Sequence, residues 1–490
     1  MNLETGIARA DLDTRVEPFL LRRMAPDPDP VPVRRLVPKL TWNRLDLAIK
    51  RAFLESLGDR PSEAAGRRYD AHIKAFSLGE MQEPDSAAKS GAEAFRASFV
   101  ETLTALDTEG FDPQRSLVPL ATDGTILNGA HRTAAAMHLG REIVAIETGL
   151  EPFVYDYRYF RGRGMSDADL DAAVTDYVRL SPDAAVALLW PAAEGRDAEV
   201  ARVLGPLVYR KELSLTPRGA HNLLSQVYRG EPWLGPAEED HPGIDRKLLP
   251  CFSGGGGLRV LVLDLPPDRD RVALKDEIRA LFGLGKHSIH ITDDHAEALD
   301  LARLLLNAHG VHMLDHASPN RFPEVRQLAE ELRGVLDASG VPADAVAIDS
   351  GMVMGLYGLR APSDLDYVAA APGPQTDRIE WHKGDRHGIP VTELLTDPQY
   401  HFFYWGLRFI SLSQVTAMKA RRLAGQDAED LERIRQLPSV ALRSPWQDFV
   451  YRARFLQSRT KRQVIRGLAR IGLKEPARRI YRRVRGGWRR

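Results

Sequence analysis

The segment from Ala345 to Val368 limits the possible folds of this chain more than any other. Ala345 to Ile348 is short and wholly apolar, as a buried strand is. Asp349-Ser350-Gly351 makes a small-residue turn, and Met352 to Leu356 a short helix that contains Gly355. A second strand then carries Asp364-Leu365-Asp366-Tyr367-Val368. Alternate residues of a strand share a face, so Asp364 and Asp366 point one way and Leu365 and Tyr367 the other. Carboxylates held this close repel each other unless a cation lies between them. A hard divalent ion with oxygen ligands, Mg2+ or Mn2+, suits such a pair. Ser350 and Gly351 open the helix, where free N–H groups can hold a phosphate. The plain alternative is two surface aspartates on an edge strand.

Turn, spacing and Asp-x-Asp together resemble the nucleotidyltransferases of the polymerase-beta superfamily. The turn reads Ser350-Gly351 where that family has Gly-Ser, whereas Ser363-Asp364-Leu365-Asp366 fits the second half of the signature. The resemblance implies Mg2+-dependent transfer from a nucleoside triphosphate, with Asp364 and Asp366 as catalytic metal ligands. It implies a third carboxylate on the next strand, for which Glu380 is the first choice and Asp385 the reserve. It also implies a helical ending in which Lys419 reaches a substrate phosphate; a solvated helix face is the other reading of Lys419. Gln426 stands where the family's ending has a Lys.

A chain of 490 residues leaves room for two to four domains. Its 43% hydrophobic and 27% charged residues suit a globular protein and not a fibrous or disordered one. The single cysteine, Cys251, rules out an internal disulfide framework and a cysteine zinc site. A cytoplasmic setting is expected, because cysteine is scarce and neither a signal peptide nor an apolar run of membrane-spanning length is apparent, and a basic C-terminal tail adds a peripheral place at the inner face of the cell membrane. The 67 basic and 67 acidic residues balance, but unevenly along the chain. Residues 451–490 hold fifteen Lys or Arg and one acid, a surplus of +14, so the first 450 carry −14. Apolar stripes interleave with these arginines: Val464, Leu468 and Ile471, then Ile480, Val484 and Trp488. A basic amphipathic tail over 445–490 points to an anionic membrane surface, with nucleic acid or a partner protein as rivals.

The pattern predicts a multidomain α/β (α+β) chain. Residues 1–38, rich in Pro and Asp near their end, read as an ill-ordered leader. Residues 39–165 form a first domain, 166–255 a helical connection, 256–315 a small α/β unit, 316–440 the domain of the opening segment, and 441–490 the tail. Ser253 to Gly257 lacks Gly-Lys-Ser, fails as a phosphate loop, and reads as a flexible joint. His287, His290, Asp293 and His295 are metal-capable residues whose strand spacing does not put them all on one face. The aromatics of Phe402 to Trp405 are expected to wall a cleft and to pack a helix.

Within 39–165, two short strands (Leu117 to Leu120, Ile126 to Leu127) lead to Asn128-Gly129-Ala130-His131-Arg132 and a helix. Gly129 permits a tight turn, and His131 and Arg132 sit beside the helix's first N–H groups, a pattern suited to phosphate. This block resembles the ParB/sulfiredoxin fold. The sulfiredoxin nucleophilic cysteine is replaced by Ala130, so what the likeness implies is nucleotide or phosphate binding through Gly129, His131 and Arg132, with a kinase-like step open. The span of about 40 to 440 is also similar to large bacterial proteins associated with capsule and lipopolysaccharide gene clusters. The expectation is therefore an enzyme of surface-polysaccharide biosynthesis, a nucleotidyltransferase acting on a sugar or sugar-phosphate acceptor. The alternative is a ParB-like, nucleotide-switched DNA-binding protein.

Overall fold

Two apolar strands, Ala184–Leu189 and Leu258–Asp264, are covered on both faces and form the middle of a four-stranded antiparallel sheet. The computed structural model describes residues 6–58, 61–83, 86–266, 268–440 and 445–470. Leu207–Leu213 and Ile289–Ile291 flank the central pair. Strand alternation sends Val186 and Leu188 into the main core, and Ala185, Ala187 and Leu189 into a second cluster. Helices Asp197–Leu204 and Arg271–Phe282 close that second cluster with Val200, Leu204, Leu274 and Ile278. The architecture is mixed α/β with several small sheets.

This sheet overturns the predicted joint at Ser253 to Gly257. The strand after the glycines is an interior strand whose neighbours lie upstream, and the region 166–255 supplies two strands as well as helices. The glycines are there for close approach. A Cβ on Gly254 would collide with the Pro191 carbonyl, and one on Gly257 would lie 2.6 Å from Glu212 Cγ.

The predicted ill-ordered leader is also corrected. Ile7, Leu12, Val16, Leu20, Met24 and Val31 are buried against Leu117, Leu127, Val144 and Ile146. Val33–Leu36 pairs antiparallel with Ile143–Leu150, which runs parallel to Val118–Ala121. The prolines bend the leader, while its apolar residues recur often enough to hold it down. Between the two parallel strands runs helix Ala130–Leu139, entered through Gly129 at φ +80°. The expected strand at Ile126 to Leu127 is a single bridge, Leu120 to Ile126.

The last sheet has the order Ile379–His382, Leu365–Ala369, Val346–Ile348, Leu407–Ile410, His401–Tyr404. Val346–Ile348 is antiparallel to the Asp-bearing strand and parallel to Leu407–Ile410. Ile379–His382 runs parallel to the Asp-bearing strand. Their link passes over the Tyr367 side, where the Tyr367 hydroxyl donates to the Pro374 carbonyl at 2.8 Å and a Cβ on Gly373 would strike it. Helix Pro323–Ala338 packs its Val325, Leu328, Leu332 and Leu336 inward, as its spacing predicts. Phe402, Tyr404 and Phe409 are buried, with Phe402 and Phe409 stacked at 5.6 Å, so these aromatics fill the core and do not wall a cleft.

Candidate active site

Leu365 and Tyr367 are fully buried, which turns the intervening Asp366 outward and leaves Asp364 exposed just before the strand. The parallel ladder sets Glu380 directly beside Asp366, with buried Ile379 beside buried Leu365. Residues side by side in a ladder share a face. Asp366 and Glu380 therefore stand together, and Asp364 is near enough to act on the Asp366 carboxyl electrostatically. That carboxyl is raised above the usual range. Burial is the main cause, the Asp349 and Asp364 charges add to it, and Arg386 and His382 oppose it. Arg386 Nη2 lies 3.5 Å from Asp366. Asp385 falls in the short helical turn Asp385–His387, beyond the end of the strand that carries Glu380.

Ser350 and Gly351 begin the helix Ser350–Leu356 as expected, but the turn before it has a different use. Asp349 is completely buried. Its Oδ1 accepts the Ser350 N–H at 2.7 Å, so the carboxylate takes the donor that a phosphate was expected to use. Its Oδ2 lies 2.8 Å from His387 Nε2 and 3.4 Å from His382 Nε2. Burial alone would raise this carboxyl, yet the two histidines outweigh burial and hold it well below the usual range. Asp349 N–H donates to the Asp366 carbonyl at 2.9 Å, tying the turn to the Asp-bearing strand. Ser350 has φ +42°, a left-handed conformation uncommon for serine, and its buried hydroxyl makes no hydrogen bond.

Lys419 requires a correction. Its ammonium is buried between Asp427 Oδ1 at 3.1 Å and Asp430 Oδ2 at 2.8 Å, so it neither lies on a solvated face nor reaches a substrate. Lys419 and the two aspartates sit on successive helices, Leu412–Arg422 and Asp427–Arg435, and the ion pair locks one to the other. The cations that remain partly exposed here are arginines. Arg360 pairs with Asp430 at 3.1 Å, with its Nη2 3.7 Å from where a Gly351 Cβ would stand. Arg422 pairs with Asp427 at 2.8 Å and feels the charges of Asp349 and Asp366. Sequence reasoning missed Arg360, Arg386 and Arg422; only their closeness in the chain to the Asp-x-Asp segment and to Lys419 could have pointed to them.

The donors on this face are oxygens, as Mg2+ requires. That ion commonly takes one or two protein carboxylates and completes its shell with water and substrate phosphate. Asp364 and Asp366 fit that role by their chemistry; the raised Asp366 carboxyl reflects burial first, and its neighbouring charges act in both directions. Among the described residues, no group of three or more His, Cys, Asp or Glu is gathered so that it could hold a metal ion, so Asp364, Asp366 and Glu380 do not form the three-carboxylate metal set that the resemblance implies. His287, His290, Asp293 and His295 are engaged separately. His290 meets Glu297 at 2.8 Å, Asp293 meets Lys275 at 2.5 Å, and His295 meets the Val178 carbonyl at 2.7 Å.

The strand–turn–helix at Gly129 has the expected backbone, and its side chains are engaged internally. His131 Nε2 lies 2.9 Å from the Tyr69 hydroxyl, and its ring packs edge-on to Phe99 at 4.6 Å. Arg132 pairs at 3.4 Å with Glu17, from the leader. The phosphate role expected of His131 and Arg132 is thus met here by protein groups. A cavity of about 850 Å³ opens elsewhere, lined by Arg67, Tyr157, Arg161, Lys211 and Gln399 among others, and none of Ser350, Gly351, Asp364, Asp366 or Glu380 borders it.

Compared with known proteins, the chain matches no protein-family model, no curated protein and no solved structure.

Proposed function

We propose that the Asp364, Asp366 and Glu380 face is the active site of a Mg2+-dependent nucleotidyltransferase. The observation that carries the reading is the ladder register that sets Glu380 beside Asp366, with Asp364 in electrostatic reach. Asp364 and Asp366 would hold the ion, with water and substrate phosphate completing its shell, and Glu380 stands beside Asp366 on the neighbouring strand. When bound, Mg2+ neutralises charge on the triphosphate and its leaving pyrophosphate. Arg386 lies 3.5 Å from Asp366 and Arg422 is within electrostatic reach of it, and these two supply positive charge for the phosphates, the task first expected of Lys419. Asp349, pinned by His382 and His387, fixes the turn and the Asp-bearing strand relative to each other. The acceptor oxygen belongs to a sugar or sugar phosphate; that choice rests on the likeness to capsule and lipopolysaccharide proteins.

The reading of a nucleotide-switched DNA-binding protein has less support, because His131 and Arg132 already have protein partners. The test is pyrophosphate release from each of the four ribonucleoside triphosphates with Mg2+ and a panel of sugar phosphates. Asp364 is exposed, so Asp364→Ala is expected to keep the fold and to lose about a hundredfold or more of turnover. Full turnover in that variant removes the proposal.

A further inference from the structure

The helix Pro445–Arg470 presents a narrow apolar stripe to solvent. Trp446, Phe449, Leu456 and Val464 are 69%, 60%, 63% and 55% exposed. At 100° per residue these four positions fall within an arc of roughly 80°. Ala453, Thr460 and Gly467, also exposed, are small residues on the same arc. Phe455 lies on the opposite side and is half-buried. Its ring meets Gly79, where a Cβ would stand 2.8 Å away, and Lys74 Nζ lies 5.6 Å from its centroid. The helix is thus fastened to the protein by one side and shows its apolar stripe on the other. Seven Lys or Arg and one acid, Asp448, occupy its 26 residues. Exposed Arg459 and Lys461 fall on either side of the stripe.

We propose that this face docks on an anionic lipid surface. Charge and shape both select that occupant. Aliphatic Leu456 and Val464, at the two edges of the arc, bury into acyl chains with Phe449 between them, and the flanking cations meet headgroup phosphates. A nucleic acid would place its phosphates where the stripe is apolar and leave those side chains uncovered. Trp446, stacked on Phe449 at 5.5 Å, sits at one end, suited to the headgroup boundary. The docking side is the Trp446 and Val464 side; the stripe of Val464, Leu468 and Ile471 expected from the sequence is not the exposed one, because Leu468 is partly buried and Ile471 lies outside the described residues.

The experiment is flotation of the full chain with phosphatidylcholine vesicles, with and without phosphatidylserine, at low and high salt. Binding is expected only with phosphatidylserine and should weaken with salt. The variant Phe449→Ser, Leu456→Ser, Val464→Ser changes exposed positions only and is expected to bind about tenfold less or worse. Arg459→Glu with Lys461→Glu should also release the protein. Absence of vesicle binding, equal binding to both vesicle types, or binding unchanged by the apolar variant would overturn the proposal. So would retention on duplex DNA that the apolar variant leaves intact, or dimerisation through this face measured by sedimentation. The readout is independent of nucleotide transfer, so its failure leaves the carboxylate face unaffected.

Discussion

Asp349 is the residue on which the candidate site depends most for its shape. It caps one helix, receives two histidines and donates its amide to the strand that bears Asp366. Removing one member of a buried charged set leaves its partners unmatched, at a cost of about 3 kcal/mol or more. Asp349→Asn should therefore lower unfolding stability by about that much in urea titrations, whereas the exposed Asp364→Ala should leave it unchanged. Equal midpoints for wild type and Asp349→Asn would contradict the role given to this residue. Glu380 was expected only from the family resemblance, whereas the outward turn of Asp366 between buried Leu365 and Tyr367 could be read from the chain because a strand's period of two depends only on neighbours. The Asp349 set could not, since His387 joins it from 38 residues downstream. Lys419 was misread for a similar reason. Helical spacing tells which residues share a face but not which helix covers that face, and here Asp427 and Asp430 cover it.

Helices Leu45–Glu55 and Glu63–Ser77 show the same limit at the scale of elements. Their apolar spacing was legible; the buried polar set between them was not. Arg44 and Lys50 meet Asp46 at 2.8 and 3.0 Å, and Lys50 reaches His72 Nε2 at 3.0 Å. His72 Nε2 accepts that bond, so its Nδ1–H donates to the Tyr69 carbonyl at 2.6 Å and the ring is neutral. Burial first, and the Lys50 charge second, hold the His72 pKa well below its ordinary 6.5. A depressed histidine contributes stability that is complete above the unfolded-state pKa and is lost as pH falls below it. Unfolding stability should therefore decline below about pH 6.5, and His72→Gln should flatten that slope by up to about 1.4 kcal/mol per pH unit. Buried His401 is depressed in the same direction, so part of the slope should survive the substitution. Thermal melts of both proteins between pH 5 and pH 8, on the order of the histidine range, check this; parallel curves would refute it.

Across the whole molecule, one apolar core runs from Leu40 to Ile434 and ignores the boundaries that composition suggested. Glycine and proline runs mark where backbone is tight or bent, and only tertiary packing tells a joint from a close contact, as at Gly254 and Gly257. The leader makes the same point. Leu12, Leu20 and Val31 are essentially fully buried, and Val16 nearly so. Each such side chain is worth about 1.5 kcal/mol or more, so deleting residues 1–31 should cost on the order of 5 kcal/mol, comparable with the whole stability of many domains. The truncated protein should bind a hydrophobic dye through Leu117, Val144 and Ile146 and melt at lower temperature. An unchanged melting curve would show that the leader's burial is not stabilising.

The central strand Ala184–Leu189 is paired on both edges by segments synthesised later, Leu258–Asp264 and Ile289–Ile291. On the ribosome this six-residue apolar stretch must wait while its partners are translated, about 5–20 s at ordinary elongation rates. Through that interval it is an open edge ready to pair with any other extended chain. Yield of native protein should therefore depend on translation speed and on holding chaperones more than the stability of the finished molecule would suggest.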